Sequence, residues 1–139
     1  MCSSDLGESE FVNWRYVREK VYLYGLNLSK KTLGYQVKLN KANFSGAYLS
    51  KANFEDAYLY GAKFEGANLW EANFEGARLY EAKFEGAILW KANFEDADLW
   101  KANFEGAILF GAILLGAKFK GVNLGCAMFE GAKIGRAHV

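Results

Sequence analysis

Along most of the chain, small and large apolar residues recur in a five-residue phrase. In the stretch KANFEDADLWKANFEGAILF, alanine returns at Ala92, Ala97, Ala102 and Ala107, and the residue two places later alternates between ring and branched chain: Phe94, Leu99, Phe104, Leu109. With that Phe or Leu as the centre of a unit, the 100 residues from Val37 to Arg136 divide into twenty units without a gap. A helix does not suit this pattern. A period of five turns each successive alanine by about 140° around a helix axis, which smears the apolar positions over every side. Alanine and the central residue are two apart, and that spacing puts both on one side of an extended segment. The other three places hold Asn, Lys, Glu, Asp, Gly, Tyr and Trp and are expected to face water.

Short extended pieces, each followed by a turn and each presenting one small and one large apolar residue inward, close into a square coil of four units. Successive coils then stack at roughly the strand-pairing distance of 4.8 Å. Gly46, Gly66, Gly76, Gly86, Gly106, Gly116 and Gly131 fall at unit ends and suit corners, with Asp56 and Asp96 in the same place. A single coil cannot offset the entropy of ordering its own backbone, so stacking must be cooperative and the two ends are the weak points. Val122 takes the place of one alanine. After Leu109 the alternation slips, with Leu114 where a Phe is due and Phe119 and Phe129 out of phase, which is expected to change which sides carry rings in the last coils.

The phrase Ala-Asn/Asp-Leu/Phe-x-x, as in Ala97-Asp98-Leu99 and Ala92-Asn93-Phe94, resembles the signature of the pentapeptide-repeat proteins, over about three quarters of the chain. The resemblance implies an all-β solenoid, the right-handed quadrilateral β-helix, and the handedness comes from the family and not from the spacing. A short N-terminal α-helical cap is expected in front of it. Phe11, Trp14, Val17 and Val21 recur at three- and four-residue steps, Ser9 is placed to cap the start and Gly25 to stop it, so residues 10–24 read as an amphipathic helix over the first coil. An alternative reading makes this segment the tail of an upstream domain.

Composition narrows the function classes. With 52% hydrophobic and 24% charged residues the chain is a folding one, and a net charge of +1 supplies no large basic field for nucleic acid. Residues 42–111 hold eleven acids against six bases, a local balance of −5. Two cysteines, Cys2 and Cys126, make no disulfide framework or metal-ligand spacing. No run is apolar enough to span a bilayer and the first twenty residues lack a secretory core, so a cytoplasmic location is the default expectation. The ends differ in composition from everything between them. Back-translated, Cys2–Leu6 and Ile134–Val139 match the two strands of a widely used sequencing adapter. Residues 1–6 and 134–139 are therefore read as adapter-derived, a reading that the genomic sequence of the locus decides. Residues 7–36 are then an N-terminal helix and lead-in, 37–133 the β-helix, and the whole a fragment of a longer protein.

Residues twenty apart should sit one above another. Trp70, Trp90 and Phe110 then form one outer column and Tyr60, Tyr80 and Trp100 another on the opposite side. Rings stacked across coils stabilise the sheet itself. The same columns are candidate contact strips for a protein partner, since Trp and Tyr concentrate at binding hot spots, or for a sugar chain. Glu55, Glu75 and Glu95 make a third column and Glu65, Glu85 and Glu105 the fourth. Such ladders of charge suit phosphate mimicry, and the resemblance extends to gyrase inhibitors and quinolone-resistance proteins that act in this way on topoisomerases. Against it, Lys63 and Lys83 lie two residues from Glu65 and Glu85, and the balance over four sides looks nearly neutral. Asn43, Asn53, Asn73 and Asn93 are placed to bond to one another or to backbone along their columns. No catalytic, cofactor or metal constellation is present in the sequence: no Ser or Cys lies beside a base and there is no glycine-rich phosphate loop. The expected function is a non-enzymatic scaffold and protein-interaction module with an unknown protein partner and an exposed end coil open to self-association. The alternatives are a DNA-mimicking topoisomerase inhibitor or protection protein and carbohydrate binding along the aromatic ladder.

Overall fold

A computed structural model describes residues 39–135, and the helix expected over 10–24 lies outside the described residues. Each unit of five turns the chain through one corner, and parallel pairing joins every residue of the bridge column to the residue twenty places on, from Asn43 with Lys63 through to Ile113 with Lys133. Four units therefore make one coil. The first side comprises 42–46, 62–66, 82–86 and 102–106; the second 47–51, 67–71, 87–91 and 107–111. The third comprises 52–56, 72–76, 92–96 and 112–116, and the fourth 57–61, 77–81, 97–101 and 117–121.

The extended pieces are shorter than the sequence pattern suggests. Pairing is confined to one residue per unit, the one before the central Phe or Leu, and turns occupy the two residues after it. Five residues that must include a turn leave room for no more. The unit around Phe84 shows how the backbone is satisfied. The Phe84 N–H donates to the Asn103 carbonyl of the next coil at 2.7 Å, and the Lys83 N–H to the Ala62 carbonyl of the previous coil at 2.9 Å. The Gly86 N–H donates to the Glu105 carbonyl at 2.9 Å, and the Ala87 N–H closes the turn on the Phe84 carbonyl at 2.9 Å. Four of the five N–H groups of a unit are thus taken by the lattice itself.

The fifth, on the residue after the centre, is where asparagine acts. Asn73 Oδ1 accepts from the Glu75 N–H at 3.0 Å, and Asn43, Asn53, Asn93 and Asn103 accept in the same way from Ser45, Glu55, Glu95 and Glu105. Asp98 does so from Trp100 at 3.3 Å. These bonds lie within one unit, unlike the column-wise bonding expected from the sequence. Asn73 Nδ2 to Asn53 Oδ1 at 3.4 Å is a bond of the expected kind. The reason is distance: a short amide reaches its own backbone two residues on more readily than a neighbour a coil away.

The interior is apolar and regular. Alanine and central side chains from Leu39 to Ala117 are buried. Because Phe and Leu alternate around a coil, the phenylalanines occupy two opposite sides. On each, rings stack coil over coil, as in Phe74 and Phe94 at 5.0 Å with an angle of 3°. Across the channel the two stacks meet edge to face, as in Phe74 and Phe84 at 5.6 Å and 88°. The slip in the pattern has the expected result. On the third side the ring stack ends at Phe94 and buried Leu114 follows it, on the first side it ends at Phe104 with exposed Leu124 beyond, and Phe119 and Phe129 stand above Leu99 and Leu109, half-buried.

Corners are stricter than glycine content implies. Every fifth residue from 41 to 131 has positive φ, and at Lys41, Lys51, Asp56, Glu71, Glu81, Lys91, Asp96, Lys101 and Cys126 the residue is not glycine. A turn closed by the hydrogen bond from the alanine N–H, with positive φ at its third residue, has type II geometry, which favours glycine there. The non-glycine corners carry a cost of about 1 kcal/mol each, which the lattice bonds on either side offset.

Two outcomes test this account. Phe84→Ala, which removes a ring stacked on both neighbours and edge-on to two more, is expected to cost about 3–5 kcal/mol in urea unfolding. At the corners, Gly86→Ala, with nothing within 4 Å of the added carbon but φ +65°, lowers stability, whereas Lys91→Gly, relieving φ +55°, raises it. Each shift is about 1 kcal/mol, and equal signs in the two variants would contradict the turn assignment.

Candidate interaction surface

The twenty-residue register turns the outer residues into vertical columns, as the sequence pattern requires. On the fourth side Tyr60 and Tyr80 rings lie 4.5 Å apart, and Tyr80 and Trp100 meet at 5.5 Å and 61°. On the second side Trp90 and Phe110 lie 5.4 Å apart, with Trp70 one coil before Trp90. The two columns differ in their surroundings. The fourth is laced with charge: Arg78 lies 5.2 Å from the Tyr58 ring centre, and Lys101 Nζ 4.5 Å from that of Trp100. The Tyr60 hydroxyl is hydrogen-bonded to the Glu81 carboxylate, which pushes its pKa above the usual tyrosine value.

The second side is different in kind. Beside Trp70, Trp90 and Phe110 runs the bridge column, which there reads Asn68, Ile88, Ile108 and Met128. Trp70, Ile88, Trp90 and Met128 are 41%, 37%, 43% and 48% exposed. Around the next corner, which is Gly111, Ile113 and exposed Leu115 continue the apolar surface. The sequence reading picked out the rings and missed the isoleucines. The available signal was their departure from Asn or Lys at the place before the centre.

The acidic columns also separate. On the first side Lys63 and Lys83 precede Glu65 and Glu85 by two residues. Oε1 of each of these glutamates is buried without a hydrogen-bond partner. Burial, and then the charge of Glu65, raise the Glu85 pKa, and Lys83 opposes the rise. The third side has no such relief. Glu55, Asp56, Glu75, Glu95 and Asp96 lie on 52–56, 72–76 and 92–96, where there is no base. The Glu75 carboxyl is raised by burial first and then by Glu55, Glu95, Asp56 and Asp96. The near-neutral balance over four sides expected from the sequence is therefore not shared evenly: within 42–111 the third side carries −5, and the others −1, +1 and 0. Among the described residues no group of acids, cysteines and histidines is arranged to hold a metal ion, and no helix is long and apolar enough to cross a membrane.

A four-sided coil of alanine and Phe/Leu units paired at twenty residues has a counterpart in known proteins. The family model for pentapeptide repeats matches residues 35–66, 57–89 and 91–125. This chain belongs to the pentapeptide-repeat family. A pentapeptide repeat protein (Rfr23) from the cyanobacterium Cyanothece 51142 is 30% identical, with 83% of this chain covering 81% of that one and a TM-score of 0.62. A pentapeptide repeat protein of the Arabidopsis thaliana thylakoid lumen is 28% identical over 84% of this chain and 59% of that one, with a TM-score of 0.36. A third, from Nostoc Pcc 7120, is 25% identical over 62% and 83%, with a TM-score of 0.46. No curated protein sequence matches the chain significantly. The solenoid of this pentapeptide-repeat protein is accordingly the right-handed β-helix.

The raised carboxyl on the third side has a consequence for stability. A carboxyl whose folded pKa exceeds its unfolded value, 4.5 for Glu75, binds protons more readily in the folded state. Between those two values stability falls as pH rises, and the loss is complete once pH exceeds the folded pKa. Urea unfolding of the wild type is expected to show this decline above pH 4.5. Glu75→Gln is expected to flatten it and to be the more stable protein at neutral pH, by a margin that shrinks with added salt. A steeper decline in the variant would overturn the assignment.

Proposed function

We propose that this pentapeptide-repeat protein is a non-enzymatic protein-interaction module whose contact strip is the second side, centred on Ile88, Trp90, Ile108 and Phe110. The observation that carries the reading is the contrast between the two aromatic columns. The fourth side sets charge among its rings, with Lys101 over Trp100, Arg78 over the neighbouring Tyr58 and the Glu81 carboxylate on Tyr60. Those on the second side stand beside isoleucines and a methionine on a surface without charge between Glu71 and Glu130 except at the corner residue Lys91. Stacking within the sheet accounts for rings, and it gives no reason for Ile88 to be 37% exposed next to a Trp that is 43% exposed. A contiguous apolar patch of this kind marks a site where a partner excludes water. The backbone beneath is held by the coil lattice, so little order is lost on binding.

A second reading rests on the third side. Five carboxylates with no base on a straight face resemble the regular charge of a nucleic-acid backbone, which favours occupation of a topoisomerase groove. A gyrase supercoiling assay at rising protein concentration separates the two: the interaction-module reading expects no inhibition and no protection, the mimic one or the other. For the strip itself, a partner isolated with the wild-type protein is expected to lose at least about tenfold in affinity with Trp90→Ala and to be unaffected by Tyr80→Ala. Equal losses, or retention by both, would refute the assignment to the second side.

A further inference from the structure

We propose that the corner between the fourth and first sides holds a binding site for a small ligand carrying two or more phosphate groups. The corner column there reads Lys41, Gly61, Glu81 and Lys101, and the adjoining bridge column of the first side reads Lys63, Lys83 and Asn103. Together with Tyr60 these residues line an open groove of about 570 Å³. The groove exists because Gly61 has no side chain between Lys41 and Glu81. A carbon added at Gly61 would meet only the Lys41 Cγ, at 3.4 Å, so the floor is open space above backbone.

Charge in the groove is one-sided. Four of the eight lining residues are lysines and one, Glu81, is acidic, and Glu81 is already engaged with the Tyr60 hydroxyl, whose pKa it raises. Lys101 is held in place at one rim, its Nζ 4.5 Å from the Trp100 ring centre. Lysine is a compact point charge with three rotatable donors, suited to phosphate oxygens without a fixed approach angle. The register sets the ligand's length. Lys63 and Lys83 are one coil apart, about 4.8 Å along the axis, and Lys41 and Lys101 are three coils apart, about 14 Å. A lone phosphate engages part of this array, and a chain of them spans it.

Width is limited as well. Beyond Lys63 and Lys83 on the first side lies the column of Glu65, Glu85 and Glu105, which repels any anion broad enough to overlap it. That excludes a nucleic-acid duplex and leaves a narrow phosphate chain, free or at the end of a small molecule. The site is on a different corner from the apolar strip and does not depend on it.

Calorimetric titration of the full chain with inorganic tripolyphosphate, at about 0.15 M salt, tests the proposal. Saturable one-to-one binding is expected, at least about tenfold tighter than for orthophosphate. Lys63→Gln with Lys83→Gln is expected to weaken it at least about tenfold. Gly61→Asp should do the same with the fold intact, because Asp56 and Asp96 already occupy equivalent corners at φ 56° and 57°. Removing two lysines elsewhere, Lys51→Gln with Lys91→Gln, should leave affinity within about twofold, since those charges are outside the groove. No saturable binding, or equal weakening by the Lys51 and Lys91 pair, would overturn the site.

Discussion

Register at twenty residues is the constraint from which the rest of the molecule follows. Each coil offers the next a square of backbone donors and acceptors, and the bonds close only if every side contributes five residues. One inserted residue would rotate all later side chains off their columns and break the channel at the same place. The same lattice supports the unusual corner conformations. A lysine or glutamate at φ near +57° is strained by itself, yet its N–H donates to the coil above at about the same distance as a glycine's does. Strain in one corner is carried by neighbours on both sides, so composition at the corners can vary while geometry does not.

Uniform geometry inside produces selective chemistry outside. Three places in each unit are released from the core, and each forms straight columns at about a strand-pairing interval. A substitution in one unit therefore changes a local patch, and a substitution repeated every twenty residues changes a whole side. Ile88 and Ile108 convert one side into an apolar strip; Glu55, Glu75 and Glu95 make another uniformly acidic; Lys63 and Lys83 form one wall of a basic corner. These three surfaces coexist on one rod because they are centred on different columns, and where the apolar surface turns the corner it takes Leu115 one coil beyond Glu95. The asparagines mark where no such specialisation is imposed, since their amides serve the backbone within their own units.

Electrostatics shows the cost of stacking like on like. Glu65 and Glu85 each have a carboxylate oxygen buried without a hydrogen-bond partner, with lysines nearby on the same side. Glu75 has no such neighbour, and its carboxyl is shifted by burial and four surrounding acids. Ladders of one charge sign work against the fold, and the ring ladders work with it.

The sequence by itself determined the period, the inward pair of alanine and Phe or Leu, the alternation of rings, the columns of residues twenty apart and the place where the pattern slips. All of these follow from side-chain size and spacing along one chain. The strictness of the corners, the local service of the asparagines and the isolation of the acidic side were decided only by tertiary structure. They depend on which backbone groups the neighbouring coils leave unpaired and on which residues meet around a corner. The basic groove is the clearest case: Lys41, Lys63, Lys83 and Lys101 are spread over sixty residues, and only the closing of three coils, with a glycine between them, brings their charges to one place.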